Sequence, residues 1–209
     1  MLLELATWPE VDAYLAKSRG IIIPIGSTEQ HGPTGLIGTD FINAAEFSLA
    51  AGSRAGGLVA PALSVGMAQH HMAFSGTMTL RPQTYISVLV DWINSLAHHG
   101  FKRLYFVNGH GGNIAPTLAA FNEFYAQTSL AQGNAQADVL CKLVNWWMMP
   151  ATAALITEIF GDDDGVHATA SEIAVTHHVR PKAIKEVPSG LAKAASGSPA
   201  NDIHNAVDY

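Results

Sequence analysis

In Arg103-Leu104-Tyr105-Phe106-Val107-Asn108-Gly109-His110-Gly111-Gly112-Asn113, a short run rich in large apolar and aromatic side chains gives way to a glycine-rich turn. The run is too short for a helix and has the β-branched and aromatic content of a strand, while residues 114–128 behind the turn are helix-compatible. Strand, turn and helix in that order make the repeating unit of α/β proteins. Ligands in open α/β sheets bind at the carboxyl ends of strands, so His110 stands where chemistry is expected.

The same alternation extends in both directions. Residues 8–17 predict a short helix, and Gly20-Ile21-Ile22-Ile23-Pro24-Ile25-Gly26 predicts a buried strand. An Ala-rich helix is expected over 40–54, with Asp40 at its start as a cap. Residues 58–65 read as a second strand, with Pro61 marking an edge or a bulge. After a loop over 66–79, residues 84–99 place Ile86, Leu89, Val90, Ile93, Leu96 and Ala97 on one helical face, and Gly100 ends that helix. Residues 139–144 predict a strand that leads into Trp146-Trp147-Met148-Met149-Pro150, followed by helices over 151–160 and 168–178. Beyond Pro181 the composition turns to Gly, Ser, Ala and Pro, which predicts loop. The expectation is one α/β domain over 1–209 with a mostly parallel sheet.

Composition narrows the function classes. Apolar residues make up 48% of the 209 and charged residues 13%, which points to a folded chain whose apolar surface meets other subunits. A net charge of -6 leaves no basic stripe for nucleic acid, so a small molecule is the expected partner. No apolar stretch approaches the roughly 20 residues that span a bilayer, and no signal peptide pattern opens the chain, so a cytoplasmic location is expected. Cys141, the only cysteine, sits in an apolar strand and reads as packing.

Candidate chemistry concentrates in Ser27-Thr28-Glu29-Gln30-His31-Gly32-Pro33, with Thr39-Asp40 behind it. Alternation along an extended chain puts Glu29 and His31 on one side, and carboxylates with imidazoles suit Zn, Mn or Mg. The competing reading makes Glu29 and Asp40 caps and His31 an ordinary loop histidine. His110 among glycines permits close approach of a ligand or, equally, marks a tight turn. His167 and Glu172 are five residues apart and share no helical face, so they converge only if His167 precedes its helix. Of the remaining histidines, His71 is singled out for attention.

Taken together, the two motifs resemble the creatininase (creatinine amidohydrolase) family, over most of the chain from Ile21 to Glu172. The resemblance implies a three-layer α/β/α sandwich and a hexamer. It implies Glu29, His31, Asp40 and His110 as metal ligands, with Asp40 bridging two divalent ions, Zn or else Mn or Fe. Creatininase itself has a further Glu at the position of Gly112; many relatives carry a late His and Glu at the spacing of His167 and Glu172. Glu172 is therefore expected as the last ligand and His167 as the proton-handling residue. His71, Trp146, Trp147 and Gly111 are expected to contact substrate. This chain departs from the family at Thr34, where a second His is frequent, at Ala68, where a Ser is frequent, and in the late motif His167-Ala168-Thr169. Relatives usually continue beyond the position of Tyr209. The implied activity is hydrolysis of a non-peptide C–N amide, cyclic or formamide; the rivals are peptide trimming and a metal-binding or assembly protein without catalysis.

Overall fold

The computed structural model describes residues 1–130 and 138–186. Four strands, β1 (Gly20–Ile25), β2 (Leu58–Val59), β3 (Arg103–Asn108) and β4 (Leu140–Asn145), form one sheet in the order β2-β1-β3-β4, parallel throughout. The helices are α1 (Trp8–Leu15), α2 (Thr39–Ala55), α3 (Pro82–His98), α4 (Ile114–Leu130), α5 (Pro150–Phe160) and α6 (Ala170–Val179). The α/β expectation is met, and apart from the second strand the predicted elements among the described residues fall in place to within a few residues at their ends.

Side-chain alternation along β1 separates the layers. Ile21, Ile23 and Ile25 are buried against Tyr85, Leu89 and Ile93 of α3 and Phe121 and Phe124 of α4. Burying each such side chain contributes about 1.5–3 kcal/mol, so this face holds most of the stabilising apolar surface. Ile22 faces the other way, toward α2. There Gly52 allows helix and sheet to close up, because a Cβ at that position would sit only 2.5 Å from Val59 Cγ2. α2 in turn packs against α6. Helix ends follow the expected chemistry: Gly56 (φ 64°) and Gly100 (φ 99°) take the left-handed conformation that terminates α2 and α3.

One strand is shorter than its sequence suggests. Of residues 58–65 only Leu58–Val59 form β2. The chain still follows β1, with Ala60 N–H donating to the Ile22 carbonyl and Leu63 N–H to that of Pro24, but three residues here span two of β1, a bulge around Pro61 that interrupts the ladder. The tail expected as loop beyond Pro181 begins with a 3-10 turn, Pro181–Ala183, and from residue 187 onward it lies outside the described residues. Among the described residues no helix is long and apolar enough to cross a membrane.

The sheet register fixes the site. Ile25, Asn108 and Asn145 are the last residues of β1, β3 and β4 and lie side by side. Three functional loops therefore leave the sheet at one edge.

Candidate functional site

Asn108 and Asn113 brace the loop after β3. Asn108 Nδ2 donates to the His110 carbonyl (2.7 Å) and to Asn145 Oδ1 (2.9 Å), and its Oδ1 accepts from His110 N–H (3.1 Å). Asn113 Nδ2 donates to the Gly26 carbonyl (3.0 Å), and its Oδ1 accepts from Met67 N–H (3.1 Å). These bonds hold the β3 loop to the β1 loop and to the segment after β2. Gly109 then packs against the Asp40 main chain so tightly that a Cβ would collide with the Asp40 carbonyl. The start of α2 is thereby brought beside His110.

The result is a buried cluster of carboxylates and imidazoles. His110 Nδ1 is 3.0 Å from Asp40 Oδ2 and 3.2 Å from Glu29 Oε1. His31 Nε2 is 3.0 Å from Asp40 Oδ1 and 3.7 Å from Glu172 Oε1. Each imidazole is anchored at its far nitrogen by a main-chain carbonyl: His31 Nδ1 by Glu29 (3.1 Å) and His110 Nε2 by Met67 (2.7 Å). A nitrogen that faces a carbonyl carries the proton. When neutral, the rings would therefore turn lone pairs toward the carboxylates, the arrangement that orients metal-ligating histidines.

Lone pairs facing carboxylate oxygens at such distances repel unless a proton or a metal ion lies among them. Glu29 Oε2 and Asp40 Oδ2 are buried without a hydrogen bond, since His110 Nδ1 is near Asp40 Oδ2 but not in line with it. Two sets of donor atoms fall within 4.8 Å of one another with Asp40 in both: Glu29, Asp40 and His110, and His31, Asp40 and Glu172. A third combines Glu29, His31 and His167. Mixed oxygen and nitrogen donors of this kind suit divalent Zn or Mn. The residues present fit such ions.

Without a metal, protons compensate the carboxylates. Burial works against a charged His31, but the Asp40 carboxylate, aided by Glu172 and Glu29, outweighs it and raises His31 to about 9. In His110 burial is likewise overcome, by the charge of Glu29 and the bond to Asp40, and its pKa stands well above the ordinary value. Glu29 resists burial through His110 and His71 and stays below the usual carboxylate range. Burial pushes Glu172 up to about 7, only partly opposed by the charge of His31. Burial, and then the charges of His31 and His71, push His167 down to about 4.

A metal must displace the His31 proton. Below pH 9 that proton is present, so the apparent metal affinity is expected to rise with pH, about tenfold per unit for each proton released. Calorimetric titration of the metal-free chain at pH 7.5 in two buffers of different ionisation enthalpy should show at least about one proton released per chain. Equal heats in the two buffers would contradict the assignment of His31.

Beside the cluster lies a cavity of about 390 Å³ whose lining includes Trp146, Trp147, Val166, Gly111 and Gly112. Trp146 is buried and stacks on Phe47 (4.7 Å between centroids), while Trp147 meets it edge-on. Among the described residues no lysine or arginine lines the cavity.

His167 precedes α6, as its convergence with Glu172 requires. Thr169 caps that helix, with its Oγ1 accepting from Glu172 N–H (3.2 Å) and its own N–H donating to Glu172 Oε1 (2.5 Å). Ala168 between them takes a left-handed φ of 50°, a strained turn for a residue other than glycine, and it aims His167 across the cavity. The expected ligands thus come together, and Trp146, Trp147 and Gly111 reach the cavity wall. His71 does not: it is fully buried behind Glu29, with its Nε2 3.3 Å from Glu29 Oε1, and lies outside the cavity lining. Gly112 has no room for the Glu that creatininase carries, because a Cβ there would meet the Met67 carbonyl and the His110 ring. Cys141 is half-buried in β4 and burial raises its thiol to about 11, in keeping with a packing role.

Sequence reasoning missed Gln30, Asn108, Asn113 and the Met67 carbonyl. The asparagines were visible inside the motif, but their partners are main-chain atoms from other loops.

The family model "Creatininase: Creatinine amidohydrolase" matches residues 4–207. Curated relatives include the mycofactocin precursor peptide peptidase of Mycobacterium ulcerans, 33% identical over 131 residues, with 58% of this chain and 48% of the relative covered. The creatinine amidohydrolase of Pseudomonas putida is 32% identical over 113 residues, covering 51% and 44%. The 3-dehydro-scyllo-inosose hydrolase of Thermotoga maritima is 34% identical over 100 residues, covering 47% and 32%. The chain thus spans about half the length, or less, of these relatives. Among solved structures, a manganese creatininase superposes with a TM-score of 0.79 at 22% identity, covering 92% of this chain and 80% of that one. A creatininase variant of Zn-Zn type gives 0.76 at the same identity and coverage. The parallel sheet, the matching fold and the family model across nearly the whole length agree, and the chain belongs to the creatininase (creatinine amidohydrolase) family.

Proposed function

We propose that this chain is a metal-dependent amidohydrolase that opens a C–N amide bond of a small, uncharged or cationic substrate. The observation that carries the reading is Asp40, which presents one oxygen to each of two imidazoles and belongs to two ligand sets. Glu29, Asp40 and His110 would hold one divalent ion, and His31, Asp40 and Glu172 the other. When bound, such ions supply an acidified water and polarise the scissile carbonyl.

The protein residues do the rest. Trp146, Trp147 and Val166 wall the cavity against solvent and offer flat apolar surface to the substrate. The cavity lacks a basic side chain, so a substrate carboxylate would find no protein cation there. His167 points Nδ1 toward Glu29 Oε1 at 3.8 Å and, kept neutral by burial and by its neighbours, takes a proton at that nitrogen and returns it to the leaving amine. Zinc and manganese are the proposed ions. The manganese and Zn-Zn forms of the structurally similar creatininases support that choice.

The mycofactocin precursor peptide peptidases among the relatives favour a second reading, trimming of a short peptide at the same site. Metal-loaded protein offered lactams, formamides and short peptides separates the two readings. Turnover of one class is expected, reduced by about 100-fold or more in His31→Ala. A fully metal-loaded protein that turns over none of them would leave the hydrolase proposal without support.

A further inference from the structure

Gln30 belongs to the first motif but has no part in the ligand sets. Its side chain is nonetheless fully engaged. Gly32 turns back in the left-handed conformation (φ 68°) and donates its N–H to Gln30 Oε1 at 2.9 Å. The amide orientation is thereby fixed, with oxygen toward Gly32 and nitrogen toward two imidazoles. Gln30 Nε2 lies 3.0 Å from His71 Nδ1 and 2.9 Å from His167 Nε2, but the latter nitrogen donates its own proton to the Gln30 main-chain carbonyl at 3.0 Å, so His71 alone accepts from the amide.

An amide nitrogen has two protons to donate and accepts nothing. His71 Nδ1 must therefore be the bare nitrogen of that ring, and its proton sits on Nε2. That nitrogen faces Glu29 Oε1 at 3.3 Å, somewhat off the line of a full hydrogen bond. His71 is completely buried and stacks on His167 (4.2 Å, 24°), so it has no room to flip. Gly32, Gln30, His71 and Glu29 form one chain of polar contacts that ends on a carboxylate of the cluster.

We infer that Gln30 and His71 are positioning residues, a buried strut that sets the place of Glu29 by deciding which nitrogen of His71 holds its proton. The inference rests on Glu29 as a metal ligand. With the proton on Nε2, His71 attracts Glu29 Oε1 and leaves Oε2, which has no hydrogen bond, to turn to an ion. With the proton on Nδ1, a lone pair would face Glu29 Oε1 and push it out of place.

Two substitutions separate this role from general packing. Gln30→Glu keeps the shape but accepts where the amide donates, so it forces the proton onto His71 Nδ1. Gln30→Met removes the donor and forces nothing. Nitrogen-15 NMR of the metal-free chain reads the tautomer of His71: Nε2–H is expected in the wild type and Nδ1–H in Gln30→Glu. Competitive chelator titration with Zn²⁺ should then show one of the bound ions weakened about 10–100-fold in Gln30→Glu, and less in Gln30→Met. Thermal unfolding of the metal-free proteins confirms that each variant is folded.

An unchanged tautomer in Gln30→Glu, equal zinc affinity in all three proteins, or a larger loss in Gln30→Met would overturn the strut. A wild type that takes up no zinc overturns the proposed function and the strut's purpose together, and zero stoichiometry reveals this before any variant is compared.

Discussion

Asp40→Ala is expected to empty the whole centre. Elemental analysis of the wild type, purified without chelators and reconstituted, should find about two divalent ions per chain, and the variant about none. Glu29, His31 and Asp40 each stand in two of the three sets, but only Asp40 belongs to both of the sets proposed as the two ion sites. The metal-free variant also loses the main source of the raised His31 pKa. With its nearest carboxylate gone, burial dominates and His31 should fall from about 9 toward or below its ordinary 6.5, which NMR can follow. Added zinc stabilises only a chain that binds it, so the unfolding temperature should climb with zinc in the wild type and stay flat in Asp40→Ala. If the variant retains both ions, the bridging role is wrong and the two sets are not one centre.

Gly109→Ala should have the second largest effect, for a steric reason. Gly109 and Gly112 have neighbours where a Cβ would go, and Gly111 has none within 4 Å. At Gly109 that neighbour is the Asp40 carbonyl at the start of α2, and backbone cannot swing aside as a long side chain would. Relief requires the β3 loop and α2 to part, and this separates His110 from Asp40. A loss of about 3 kcal/mol or more in denaturant unfolding of the metal-free chain, with failure to hold two ions, is expected. Gly111→Ala is the matched control and should keep both stability and metal content. Equal behaviour of the two variants would show that the contact between Gly109 and Asp40 does not hold the site together.

Much of this fold and site is legible in the sequence alone. The short apolar runs at 20–25 and 103–108 announce strands, the spacing of Leu89, Val90 and Ile93 announces a helix, and glycines at 56 and 100 close helices. These signals are local: they depend on side-chain periodicity and on backbone conformations that neighbouring residues impose. Residue chemistry was legible in the same way, since Glu29, His31, Asp40 and His110 lie in two compact motifs beside strand ends.

The failures share a cause as well. β2 ends at Val59 because the chain bulges around Pro61, where three residues span two of β1, and a bulge is defined only by the strand that lies alongside. His71 is expected at the pocket wall but lies buried behind Glu29, outside the cavity lining; its sequence neighbours are the same in either place.

By itself, then, the sequence determined the alternating strands and helices, the family and the kinds of atoms available to a metal. The tertiary structure decided that Glu172 and His167 reach motifs more than a hundred residues away, that Gly112 leaves no room for a ligand, and that Gln30 points at two imidazoles. Local propensity acts over a few residues of chain, whereas those distances are set by the register of β1, β3 and β4 and by the packing of α2 against α6.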